Sequence, residues 1–79
     1  MTETPTPAVD QIWQDNDPRS PGRYLKLIAV DDTHATAVPV EWDDLFGVAH
    51  PMGGARATRI RLDRFRPTST GYRYVGTAK

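Results

Sequence analysis

Apolar and polar residues alternate with a period of two along much of this chain, most strictly at Arg59-Ile60-Arg61-Leu62. In a strand, neighbouring side chains point to opposite faces. Ile60 and Leu62 are therefore expected to face a core, with Arg59 and Arg61 turned outward. The pattern predicts a strand over residues 56–62, and the rest of the chain supplies its partners.

Four further stretches carry strand signals. Residues 9–14 place Val9, Gln11 and Trp13 on one side and Ile12 on the other. Residues 23–30 begin with Leu25 and Leu27 on one face, then move to Ile28 and Val30 on the other. Such a change of face within one strand is what a bulge produces. Residues 35–42 put Thr36, Val38, Val40 and Trp42 on a common face. Pro39 has no N–H to give a ladder, so part of that strand is expected to be an edge. Residues 71–75 close the set, with Tyr72 and Tyr74 on one face and Val75 on the other.

Turn chemistry separates these stretches. Residues 15–22 form a loop rich in Asp, Asn and Pro. Residues 31–34 (Asp-Asp-Thr-His) read as a hairpin turn. Residues 43–55 are a long excursion in which Asp43 is placed to cap a single helical turn. Residues 63–67 make a tight turn with Phe65 inward and Arg64 and Arg66 near the surface. Residues 1–8, mostly Thr, Pro and Glu, read as a disordered tail.

Five short strands without a helix signal predict an all-β chain. The expected architecture is a single five-stranded SH3-like barrel over residues 9–79. An OB-fold is the second choice, since it usually needs longer strands. The expected core is Leu25, Leu27, Val38, Ile60, Leu62 and Phe65, together with Trp13.

Composition narrows the chemistry. The chain has 79 residues and no cysteine, so disulfides and thiolate chemistry are excluded. No apolar run approaches the roughly 20 residues of a membrane span. The first residues carry neither a basic nor an apolar region, so no secretory signal is read there and the expected location is the cytoplasm. Asp15 and Asp17 could suggest a calcium loop, but no third acid, central glycine or closing glutamate follows. His34 and His50 lack companions at ligand spacing. No metal, cofactor or small-molecule substrate is expected, and no motif with a catalytic mechanism is present.

Charge divides the chain. Residues 1–44 carry nine acids against three basic residues, a balance of −6; residues 45–79 carry seven basic residues against one acid, a balance of +6. Arginine outnumbers lysine eight to two. Guanidinium groups suit carboxylates, phosphates and aromatic faces. The candidate binding residues are Arg59, Arg61, Arg64 and Arg66, the aromatic Trp42, Tyr72 and Tyr74, and the acidic Asp15 and Asp17. This set fits a protein-interaction module, because aromatic residues and arginine dominate interface energetics. The alternative is nucleic-acid binding, with arginines on phosphates and an exposed tyrosine stacked on a base. A sequence pI of 6.7 weighs against that alternative. If Asp15, Asp17, Asp43 and Asp44 lie on the opposite side from the arginines, nucleic acid gains; if they intermix, it loses.

Two stretches carry a resemblance. Residues 12–23 read Ile-Trp-x-Asp-Asn-Asp-Pro-Arg-Ser-x-Gly-Arg, and residues 58–73 read Thr-Arg-Ile-Arg-Leu-Asp-Arg-Phe-Arg-Pro-Thr-Ser-Thr-Gly-Tyr-Arg. Together they resemble small proteins of actinobacteria and their phages. The resemblance spans most of the chain beyond the tail. It brings no catalytic residues, and the expected role of the chain is that of a small accessory or regulatory protein.

Overall fold

The computed structural model describes residues 6–16, 23–54, 56–66 and 71–78. It is all-β, built on one antiparallel sheet. The strands are β1 (Gln11–Asp15), β2 (Tyr24–Val30), β3 (His34–Asp43), β4 (Val48–Pro51), β5 (Thr58–Arg61) and β6 (Tyr72–Thr77). Their order is β4-β3-β2-β1-β6, and β5 also pairs with β3. The ladder runs from β4 to β6 without closing on itself, so the expected barrel is seen only as a single sheet. A sixth strand, β4, occupies part of the 43–55 excursion.

β3 is the longest strand and has two successive neighbours on one side. His34 to Ala37 pair with β5, and Val40 to Asp43 pair with β4. Val38 and Pro39 fall in the gap between the two ladders. Pro39 has no N–H, and the gap is the place on that side where none is called for. The expected edge is therefore real but internal to the strand.

β2 shows the expected bulge. Its register with β3 shifts between Leu27 and Ala29. Leu25 and Leu27 are buried before it, whereas Ile28 and Val30 after it are exposed and join no second core. The extra residue turns the strand so that its last residues leave the covered region.

The main core gathers Trp13, Leu25, Leu27, Ala35, Ala37, Ile60 and Phe65, with Leu62, Tyr72 and Tyr74 packed against it. Trp13 is fully buried and meets Phe65 and Tyr74 edge-on, with ring centroids 5.0 and 5.6 Å away. Edge-to-face pairs add to area burial because a positive ring edge meets a negative ring face. β3 turns small residues toward this cluster. Ala35 and Ala37 stand on the face of β3 that joins it. Val38, expected in the core, lies half-buried on the opposite face, where Val40 is buried.

Three local expectations also change. Val9 sits in a turn and is exposed; β1 begins two residues later, at Gln11. The fourth expected strand is shorter, and Leu62 opens a 3-10 turn (Leu62–Arg64), where it is half-buried. Asp43 caps a hairpin turn rather than a helical one. Residues 17–22 and 67–70 lie outside the described residues, and with them Asp17.

The buried polar side chain among the core residues is Gln11. Its Oε1 accepts from the Trp13 indole N–H at 3.0 Å and from the Ala8 N–H at 2.9 Å. Its amide nitrogen donates to the Thr6 carbonyl at 3.0 Å. One side chain thus satisfies the indole and ties residues 6–8 to the start of the sheet.

This packing ranks the leucines. Leu27→Ala removes a fully buried side chain and is expected to cost about 2–5 kcal/mol. Leu62→Ala should cost clearly less, because its side chain is partly solvated in the native state. Urea melts of the two variants check the order. Equal losses would mean that Leu62 belongs to the core proper.

Candidate interaction surfaces

The arginines sit on β5 and the turn that follows. Ile60 is buried while Arg59 and Arg61 are exposed, as the alternation required. Arg64 and Arg66 are also exposed. Acids accompany them. Arg59 Nη2 lies 2.8 Å from Asp31 Oδ2, and Arg61 Nη2 lies 3.5 Å from Asp63 Oδ2. Arg23 approaches Asp15 at 4.0 Å, and Lys26 approaches Asp10 at 3.7 Å. Arg73 donates to Gln14 Oε1.

Asp31 organises this end. Its Oδ1 accepts from the Thr33 N–H at 2.9 Å and the His34 N–H at 2.7 Å, closing the turn between β2 and β3. Its Oδ2 accepts from Arg59 of β5. The Leu62 N–H then bonds to the Thr33 carbonyl at 3.0 Å, so the same turn holds the end of β5. The two N–H donors, followed by Arg59, hold the Asp31 carboxyl down at about 2.

The aromatic candidates are occupied largely by packing. Tyr72 is half-buried, its ring 5.5 Å from Phe65. Burial raises its hydroxyl pKa, with Asp15 adding to the rise and Arg64 and Arg23 opposing it. Asp15 is therefore mixed among arginines around Tyr72. Tyr74 packs on Trp13, and its hydroxyl pairs with the Thr77 hydroxyl at 2.8 Å. Trp42 is half-buried against Gly76. A Cβ at Gly76 would lie 3.2 Å from the Trp42 ring. The Trp42 Nε1 is buried without a hydrogen-bond partner.

The most exposed large apolar residues lie at the other end of β3, and sequence reasoning did not single them out. Leu45 is 82% exposed and Phe46 is 64% exposed, at the tip of the β3–β4 hairpin. The tip is built, not loose. Asp43 Oδ1 accepts from the Leu45 and Phe46 N–H groups at 3.1 and 3.2 Å. Gly47 follows with φ 67°, a left-handed conformation that glycine adopts without strain. Glu41 and Asp44 are exposed beside the pair, as is Met52 beyond β4. The available signal was Leu-Phe bracketed by Asp-Asp and Gly, two large apolar residues inside a turn former's frame.

The charges thus fall into two groups. Asp31 and Asp15 are mixed among the arginines, while Asp43 and Asp44 stand at the far end of β3. Among the described residues, no group of three His, Asp or Glu could hold a metal ion, and no helix is long and apolar enough to cross a membrane.

The Asp31 carboxyl gives a direct check. Its folded pKa lies below its ordinary value of 3.8. The stability it contributes is therefore complete above the ordinary value and is lost as pH falls from there through about 2. Carbon-detected NMR titration should place its midpoint near 2. In Arg59→Ala the midpoint should rise yet stay below 3.8, because the Thr33 and His34 donors remain. A return to 3.8 would make Arg59 the main cause. Comparison with protein-family models, with curated proteins and with solved structures gives no match, so the reading of these surfaces rests on their geometry.

Proposed function

We propose that this chain is a protein-interaction module on an SH3-like sheet, and that the β3–β4 hairpin tip is its principal contact element. The observation that carries this reading is the exposed Leu45–Phe46 pair held in a fixed turn by Asp43. Burying a Leu or Phe side chain against a partner is worth roughly 1.5–3 kcal/mol each. Exposed charge pairs contribute much less, because water and salt screen them. The apolar tip therefore outweighs the arginines as a source of affinity. A preformed turn also lowers the ordering cost of binding.

The arginines of β5 keep a role in this reading. Arg59, Arg61, Arg64 and Arg66 steer acidic surfaces toward this end of the molecule and set the salt dependence of association. The nucleic-acid alternative would use the same arginines. The carboxylates beside Arg59 and Arg61 weaken it, since each offsets a charge that a phosphate would need.

The double change Leu45→Ser, Phe46→Ser tests the reading. Both side chains are exposed, so stability should move by no more than about 0.5 kcal/mol per site. Affinity capture from a lysate of the source cells should lose its polypeptide partners, and nuclease treatment should leave the wild-type capture unchanged. If capture instead survives the tip change but is lost both with nuclease and with Arg59→Glu, Arg61→Glu, the chain binds nucleic acid.

A further inference from the structure

β4 ends the sheet order on its side, with β3 as its neighbour. Among the described residues no strand pairs with its other edge. Alternate residues of such an edge turn their N–H and C=O groups away from the sheet, where another extended backbone can take them. The approach is open. His50, Pro51 and Met52 are exposed, and a Cβ at Gly53 or Gly54 would meet no atom within 4 Å. Register gives the hairpin a charged face. Glu41 lies across from His50 and Asp43 across from Val48, so these four share one face, while Trp42 and Ala49 share the other. Asp44 follows in the turn and is exposed. Arg59 and Arg61 each have an acid beside them, but among the described residues Glu41 and Asp44 have no cation beside them.

From the open edge and its unpaired acids we infer that β4 takes up an extended basic segment of another protein as an added strand. The inference rests on the interaction-module reading and gives its partner a chemistry. In an added strand every second side chain falls on the face of Glu41 and His50. Strands lie about 4.8 Å apart, so a lysine or arginine there stands two strands from Glu41 and reaches it across His50. Apolar residues at the alternate positions extend the Ala49 face, and Leu45 and Phe46 meet the segment at the tip. Backbone pairing supplies affinity, and the alternate charges supply selectivity. A second copy fits this edge poorly, because two such hairpins side by side would bring their acids together. β4 is four residues long and ends at Pro51, which has no N–H, so the contact is short and weak.

Synthetic peptides test this, with amide NMR of the labelled chain as the readout. The probe is a short capped peptide of alternating Lys and Val. One control replaces Lys by Glu; another keeps the charges but has every backbone nitrogen methylated, so it cannot donate to a ladder. The Lys-Val peptide should bind with a Kd between about 10 μM and about 1 mM, move the Val48, Ala49 and His50 signals, and slow hydrogen exchange at the outward N–H groups of β4. The methylated peptide should bind at least about tenfold more weakly, and the Glu-Val peptide should not bind. Glu41→Lys, Asp44→Lys should reverse the choice and take the Glu-Val peptide; Asp43 is left in place because it builds the turn. Asp32→Lys, an exposed acid at the other end of β3, should leave binding unchanged. No binding of the Lys-Val peptide up to about 1 mM overturns the inference. So does equal binding of the methylated peptide, or an equal loss in Asp32→Lys, since either makes the contact one of diffuse charge. Shifts of β4 signals with the chain's own concentration overturn it in favour of a second copy. A chain that ignores the Lys-Val peptide, yet loses nuclease-resistant capture with Leu45→Ser, Phe46→Ser, removes strand addition and leaves the interaction module standing. Capture that survives the tip change removes the tip reading, on which the inference rests.

Discussion

An indole can be buried completely only where its N–H finds an acceptor, and much of this small structure depends on how Trp13 meets that condition. Leaving the donor without a partner would cost about 1–3 kcal/mol, a large share of what a domain this size can hold. Gln11, two residues earlier on β1, supplies the acceptor at 3.0 Å. Its remaining groups bind the Ala8 N–H and the Thr6 carbonyl, so the buried amide is satisfied on both atoms. With Trp13 held, Phe65 and Tyr74 take edge-on positions, and β3 can offer them only Ala35 and Ala37. Trp42 is the contrast. Its ring covers Gly76, but its buried N–H has no partner, so it fills space without being fixed by a hydrogen bond.

The second constraint is the division of β3. β4 ends at Pro51 and β5 begins at Thr58, and the ten residues of β3 meet the two in turn. β4 and β5 share the work, and Pro39 marks the gap between them. The consequence is functional geometry. Each half of β3 ends in a turn fixed by an aspartate: Asp31 at the arginine end, Asp43 at the apolar end. Both carboxylates accept two backbone N–H bonds, so both ends are presented on rigid backbone.

Alternation made β5, the β2 bulge and the all-β class legible in the sequence, because a period of two and a change of face are local properties. Inward and outward faces of β3 were not legible. Thr36, Val38, Val40 and Trp42 are the larger residues and suggest the core face, but the face that joins the Trp13 and Phe65 cluster carries Ala35 and Ala37. Leu62 continued the alternation on paper. Its backbone leaves the sheet instead, because the Leu62 N–H bonds to Thr33 and the next three residues form a 3-10 turn. At the candidate site, the exposure of Arg59 and Arg61 could be read directly. Their pairing with Asp31 and Asp63 could be read only in part, since Asp31 lies 28 positions from Arg59. Leu45 and Phe46 were missed because two adjacent apolar residues normally signal burial, and only the hairpin geometry shows them at a tip.

The central claim is that rings such as Trp13 build the sheet, while the proposed contact with a partner is made by the β3–β4 hairpin tip. Titration of the labelled chain with its captured partner, followed by two-dimensional amide NMR spectra, tests this most directly, because every backbone N–H reports separately. Adding the partner should move the Leu45, Phe46 and Gly47 signals together, along one binding curve. Signals of Gln11, Trp13 and Leu27 should hold still. Shifts spread through the core, or absent from Leu45 and Phe46, would contradict the account.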